Sequence, residues 1–199
     1  MIRKTFLVLI YYFFAGPMIA DHSKVIVCFG DSYTEGMGAS ISEAYPSRLE
    51  KALKGIRVMN AGVSGETAEE GFLRIERDVL SKKPDLVIVE FGVNEAFRGY
   101  PVEEALGNIE RIVQKIISQG SSVIIVGVHF GHFHKNFDQG LEVIAAKYKT
   151  GLVLDALHGI LDNSLLRSDS YHPNAEGYRI LAERILPEVK KLIGDEDES

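Results

Sequence analysis

In KVIVCFGDSYTEG, residues 24–36, an unbroken apolar run ends on Gly30-Asp31-Ser32. An apolar, β-branched run without polar alternation is how a strand covered on both faces reads, and such strands belong to parallel sheets. The pattern returns in IRVMNAG (56–62), DLVIVEFG (85–92), SVIIVGVHF (122–130) and GLVLDA (151–156). Segments with helical spacing lie between and after these runs, over 44–55, 67–84, 101–120, 137–151 and 174–194. In the third, Val102, Leu106, Ile109, Ile112, Val113, Ile116 and Ile117 recur at steps of three and four, opposite Glu103, Glu104, Glu110, Arg111 and Lys115. That is a helix laid on a sheet. Alternating strands and helices joined by right-handed crossovers predict the α/β class, here a doubly wound three-layer α/β/α sandwich on a five-stranded parallel sheet. In such a sheet, function is expected at the carboxyl ends of the strands, where Ser32 stands.

At 199 residues the chain has the size of one domain, and a globule this large buries about 70% of its unfolded surface. A composition of 46% hydrophobic and 25% charged residues with 6 prolines argues against disorder and against a disulfide scaffold. The net charge of −6 and the absence of a Lys/Arg run exclude nucleic acid as a partner. At the N-terminus, MIRK precedes an uncharged run over 5–20 that is shorter than the ~20 residues of a membrane span. It reads as a signal peptide over 1–20, cleaved after Ala20 or kept as an anchor, since Met18 is larger than the residue preferred two positions before a cleavage point. The expected location is exported, periplasmic or secreted, with the working domain over 21–194 and an acidic tail over 195–199. Cys28, the single cysteine, allows no intramolecular disulfide and reads as a buried strand residue.

A serine hydroxyl is a weak nucleophile until a base takes its proton, and the base needs an acid to orient it. Among six histidines, His172 in SDSYHPNAEG stands out, with Asp169 three residues before it and Pro173 after it; the other five lack an acid in a comparable context. An oxyanion formed by attack on an acyl carbonyl would need donors from other strand ends. Gly65, in NAGVSGET, can bring its backbone N–H close to a ligand, and Asn94, in FGVNEAFRG, can offer its side-chain amide alongside the Ser32 N–H. Taken singly, Ser32 and Asp169 read as caps and Asn94 as a loop residue; together, at successive strand ends, they read as a site.

GDSYTEG, NAGVSGET, GVNE and DSYHPN resemble, in order and spacing, the four blocks of the GDSL esterases, or SGNH hydrolases, over about Lys24 to Leu192. Within that family the chain is similar to the exported bacterial acyl-CoA thioesterase, lysophospholipase and arylesterase subgroup. The resemblance implies a flavodoxin-like SGNH hydrolase fold. It also implies Ser32 as nucleophile, His172 as general base and acid, Asp169 as its orienter, and Ser32, Gly65 and Asn94 as the oxyanion hole. Glu95 departs from the family's GxND block and is expected to support the loop. No GxSxG follows a strand, which separates the chain from the α/β-hydrolases.

The run GVHFGHFHKNF holds His129, His132 and His134, yet lacks a carboxylate or cysteine at metal-ligand spacing, so no metal is expected and no cofactor is called for. Phe130, Phe133 and Phe137 in the same stretch are expected either to line an apolar acyl groove or to pack under the loop. The reading that follows is a monomeric serine esterase acting on lysophospholipids, acyl thioesters or simple esters, with transient contact to a membrane surface. Two alternatives stand beside it: a carbohydrate O-acetylesterase on the same machinery, and a non-catalytic envelope binding module.

Overall fold

The structure, a computed structural model, describes residues 23–128 and 134–194. The five apolar runs form β1 (Val25–Gly30), β2 (Arg57–Gly62), β3 (Leu86–Glu90), β4 (Ser122–Val126) and β5 (Gly151–Val153). The helices are α1 (Ser32–Glu35), α2 (Tyr45–Ala52), α3 (Ala68–Asp78), α4 (Val93–Phe97), α5 (Val102–Ile117), α6 (His134–Tyr148) and α7 (Ala175–Ile193). Five of these match the expected helices. The two unforeseen ones, α1 and α4, are single turns directly after β1 and β3. The expected signal peptide and acidic tail lie outside the described residues. Among the described residues, no helix is long and apolar enough to cross a membrane.

All strand pairs are parallel, in the order β2-β1-β3-β4-β5. Successive side chains of a strand point to opposite faces, so a strand covered on both sides must be apolar throughout. In β1, Ile26 and Cys28 enter the core beneath α2 and α7, whereas Val27 and Phe29 enter the core beneath α3, α5 and α6. The predicted stripe of α5 is the buried one, through Ala105, Ile109, Ile112, Val113 and Ile116. The last two strands end sooner than their apolar runs. Val128, Ala156 and Leu157 still reach the core as irregular chain, so hydrophobicity overstates strand length there.

Strand order reverses between β1 and β3, and connections leave the sheet in opposite directions at such a point, opening a crevice at the carboxyl ends. In the register, Gly30 at the end of β1 stands opposite Gly62 of β2 and Glu90 of β3. Ser32 and Asn94 follow those strand ends by two and four residues, which brings α1 and α4 together at the crevice.

Candidate active site

Ser32 opens α1, and Asp31 caps that turn by accepting a 3.0 Å hydrogen bond from the Tyr33 N–H at Oδ1. Gly36 ends the turn in the left-handed region, with its N–H donating to the Ser32 carbonyl. The serine is therefore fixed by a turn closed at both ends rather than carried on open loop.

His172 reaches this turn from the segment before α7. Its Nε2 lies 3.2 Å from Ser32 Oγ, and its Nδ1 lies 2.9 Å from Asp169 Oδ2 and 3.1 Å from Oδ1. Asp169 Oδ1 also accepts from the backbone N–H groups of Tyr171 and His172, at 2.7 and 2.8 Å, so the short offset is closed as an Asx turn. With Asp169 accepting at Nδ1, the Nδ1–H tautomer is favoured and the Nε2 lone pair faces the serine hydroxyl. The His172 hydrogen bond holds the Asp169 carboxyl below the usual range. The Tyr33 ring stands 5.9 Å from the imidazole. Asn174 secures the loop's exit: it accepts from the Glu176 and Gly177 N–H groups to cap α7, and donates to the Leu165 carbonyl.

His172 is not alone in having an aspartate three residues before it. A second Asp–His pair has the same offset, with His158 Nδ1 2.8 Å from Asp155 Oδ2. His158 is 80% exposed against 21% for His172, and only His172 has a serine hydroxyl beyond its second nitrogen. The offset makes the pair, and position at the crevice makes the site.

Gly65 and Asn94 line the same cavity as Ser32. Gly65 has φ +82°, a region that favours glycine, and its carbonyl accepts a 2.7 Å hydrogen bond from Arg98, which also pairs with Glu70. Arg98 thus holds the peptide that follows Gly65. On the other side, the Glu35 carboxylate accepts from both the N–H and the hydroxyl of Ser64. Asn94 Nδ2 donates to Asp31 Oδ2 at 2.9 Å and to the Glu66 carbonyl at 2.8 Å. Both amide protons are engaged, so donation to an oxyanion requires the bond to Glu66 to be exchanged. Glu95, the departure from the family block, sits 1% exposed and accepts at 2.6 Å from the Ala68 N–H at the start of α3. It fastens α4 to α3, the supporting role expected of it.

Three carboxyls lie buried behind the serine: Asp31, Glu90 and Glu95, each at most 1% exposed. Burial raises Asp31 well above the ordinary range, with the charge of Glu90 adding to it. Burial likewise pushes Glu90 up to about 7, against hydrogen bonds from Thr34 and Asp31, and raises Glu95.

The cavity over these groups measures about 400 Å³. Met37, Val93, Phe97 and Tyr171 give it apolar walls, and Phe97 and Tyr171 meet edge to face at 5.3 Å. None of these four was singled out from the sequence, although each lies within a few residues of a recognised block. Phe137 is not a wall of this cavity: it is 1% exposed in the core beneath α3, α5 and α6, and Gly92 provides the space for its ring. The expectation that it contacts substrate is corrected accordingly. Phe130, Phe133, His129 and His132 lie outside the described residues, as does the side chain of His134.

A doubly wound sheet with serine, histidine and aspartate in hydrogen-bond contact at its switch point, under a partly apolar cavity, has the equipment of an ester hydrolase. The chain belongs to the GDSL-like lipase/acylhydrolase family, whose model matches residues 28–180. It is 28% identical to Esterase TesA of Pseudomonas aeruginosa over 86% of this chain and 90% of that protein. It is 26% identical to an arylesterase of Vibrio mimicus over 96% of this chain and 99% of that protein. Among solved structures, AlinE4, described as an SGNH-hydrolase family esterase, superposes with a TM-score of 0.68 at 33% identity, over 85% of this chain and 96% of the other. The chain is an ester hydrolase with the SGNH fold.

Proposed function

We propose that the protein is an exported serine esterase that hydrolyses carboxylic esters or thioesters through an acyl-enzyme on Ser32. The observation that carries this reading is the 3.2 Å contact from His172 Nε2 to Ser32 Oγ, with Asp169 2.9 Å from Nδ1 on the far side. His172 takes the serine proton as the hydroxyl attacks the acyl carbon. The Ser32 N–H, the Gly65 N–H and Asn94 Nδ2 donate to the oxyanion, and His172 then protonates the leaving oxygen or sulfur. Water then gives a proton to His172 as it attacks the acyl carbon, and His172 returns that proton to Ser32 Oγ as the acyl–oxygen bond breaks and the acid leaves. Asp169 stays ionised and stabilises the imidazolium.

The walls formed by Met37, Val93 and Phe97 suit an acyl chain, which favours lysophospholipids, acyl thioesters and simple esters as the substrate class. The charge-flanked apolar run over 5–20 supports export, checked by N-terminal sequencing of protein recovered outside the cytoplasm.

The test is a hydrolysis panel of p-nitrophenyl acetate through palmitate, palmitoyl thioester, lysophosphatidylcholine and acetylated xylan, with Ser32→Ala as control. Each methylene buried from water contributes about 0.8 kcal/mol, so kcat/KM should rise about fourfold per carbon until the cavity is full. Serine-dependent turnover confined to acetyl groups moves the assignment to carbohydrate deacetylation, and turnover that survives Ser32→Ala refutes the mechanism.

A further inference from the structure

We propose that Glu35 and Arg98 are positioning residues for hydrolysis at Ser32: from the helices that carry Ser32 and Asn94, they grip the turn that carries the Gly65 N–H and so set the three oxyanion donors against one another. The inference rests on the serine-esterase reading and adds two residues behind the groups that touch substrate, since neither lines the cavity.

Val63, Ser64, Gly65 and Glu66 form a four-residue turn, closed by the Glu66 N–H donating to the Val63 carbonyl at 3.3 Å. Gly65, at the third position, has φ +82°, whereas Ser64 is not among the residues of positive φ, and this combination is that of a type II turn. A Cβ at Gly65 would meet nothing within 4 Å, so glycine is favoured there by the backbone angle and not by lack of space. That angle fixes which way the peptide between Ser64 and Gly65 faces. It does not place the turn within the site.

Two charged side chains do that. On one flank, the Glu35 carboxylate of α1 accepts from the Ser64 N–H at 2.7 Å and from the Ser64 hydroxyl. On the other, Arg98 at the end of α4 donates to the Gly65 carbonyl at 2.7 Å and to Glu70 of α3 at 3.0 Å. The peptide that carries the Gly65 N–H is thus held through both of its neighbours, one tied to the helix of Ser32 and the other to the helix of Asn94. Asn94 itself donates to the next carbonyl, that of Glu66, and this is the bond it exchanges when it turns to an oxyanion. Arg98 keeps α4 and the turn joined through that exchange. Stability is a poor account of these contacts, because Arg98 and Glu70 are 40% and 44% exposed, Glu35 is exposed as well, and surface ion pairs contribute little to folding.

The experiment measures kcat and KM on p-nitrophenyl butyrate, and Ki for propyl trifluoromethyl ketone, whose adduct on a serine carries an oxyanion. It compares the full chain with its Glu35→Gln, Glu35→Ala, Arg98→Lys and Arg98→Met variants, with Ser32→Ala as blank and thermal melts throughout. Positioning predicts that Glu35→Ala and Arg98→Met stay folded, lower kcat by about tenfold or more with KM within about twofold, and weaken the ketone by about the factor lost in kcat/KM. Glu35→Gln, which keeps an acceptor, and Arg98→Lys, which keeps a donor, should recover part of the loss. An unchanged kcat in either folded truncation, a loss of turnover without a matching loss of ketone affinity, conservative variants as impaired as the truncations, or unfolding of the conservative variants would each overturn the proposal. Absence of Ser32-dependent turnover in the unsubstituted chain would instead overturn the esterase reading, and this inference with it.

Discussion

Glu90→Gln should make the protein more stable at pH 8 relative to the unsubstituted chain than it does at pH 5. Burial raises the Glu90 carboxyl from 4.5 to about 7, so between those values the native state holds a proton that the unfolded chain has already released. A group raised in this way leaves stability intact below the unfolded value and removes it as pH climbs through the folded one. The separation corresponds to about 3 kcal/mol, at about 1.4 kcal/mol per pH unit, and the complete burial of Glu90 removes the need to discount it for solvent screening. Glutamine keeps the shape and cannot ionise. Asp31 contributes a slope of the same sign, and the loss of the Glu90 charge reduces that slope in the variant, which adds to the difference. About 2.5 kcal/mol of this falls between pH 5 and pH 8, because pH 5 already lies above the unfolded value; at roughly 2–4 °C of Tm per kcal/mol for a domain of this size, the gap in Tm between variant and parent should widen by roughly 5–10 °C. Far-UV circular dichroism melts at the two pH values provide the measurement. Parallel Tm profiles for parent and variant would refute the claim that Glu90 is protonated by burial.

Asn94→Ala should lower kcat by about 100- to 1,000-fold with KM little changed, the effect of about 3 to 4 kcal/mol expected for one oxyanion donor, read by steady-state kinetics on a folded protein. Unchanged kcat would remove Asn94 from the oxyanion hole. Gly30→Ala should unfold the chain or lower its melting temperature sharply, because the added methyl falls 2.2 Å from Thr34 Oγ1 and 2.4 Å from the Glu90 carbonyl; a normal melt would mean that β1 and β3 can part at no cost. Phe97→Ala should reduce kcat/KM for octanoyl esters more than for acetyl esters, since it removes a half-exposed wall of the cavity and leaves the reacting groups in place. Equal losses on both substrates would place the acyl chain elsewhere.

The parts of this protein legible in its sequence are those whose burial is periodic. Strands covered on both faces leave unbroken apolar runs, and α5 leaves a stripe, so fold class and the carboxyl ends of the strands could be read directly. Helices α1 and α4 could not, because a single turn has no period, and these two turns fix Ser32 and Asn94. Phe137 was readable and was misjudged: with Leu141, Ile144 and Ala145 it forms a stripe at helical spacing, all buried, and such a stripe belongs to a core. Asp155 and His158 show the converse limit: this pair has the same three-residue offset and was passed over in the sequence, and the offset alone does not say which pair faces a serine. Glu90 was one polar letter in the apolar run DLVIVEFG, and its meaning depends on β3 lying beside β1 with Gly30 as its neighbour.

That last contact explains why the Gly-Asp-Ser at the end of β1 functions as a unit. The serine needs a turn closed at its start, and the aspartate supplies the cap. The aspartate must also reach Asn94 across the switch point, which buries its carboxyl where an uncompensated charge would be costly. Only glycine before the aspartate leaves space for the Glu90 side chain, which accepts from Thr34 Oγ1 of the same turn at 3.0 Å. Each residue thus creates the requirement that the next one meets. Burial favours the neutral form of both carboxyls, so the groups that hold the turn and the amide add less negative charge to a low-dielectric site than free carboxylates would.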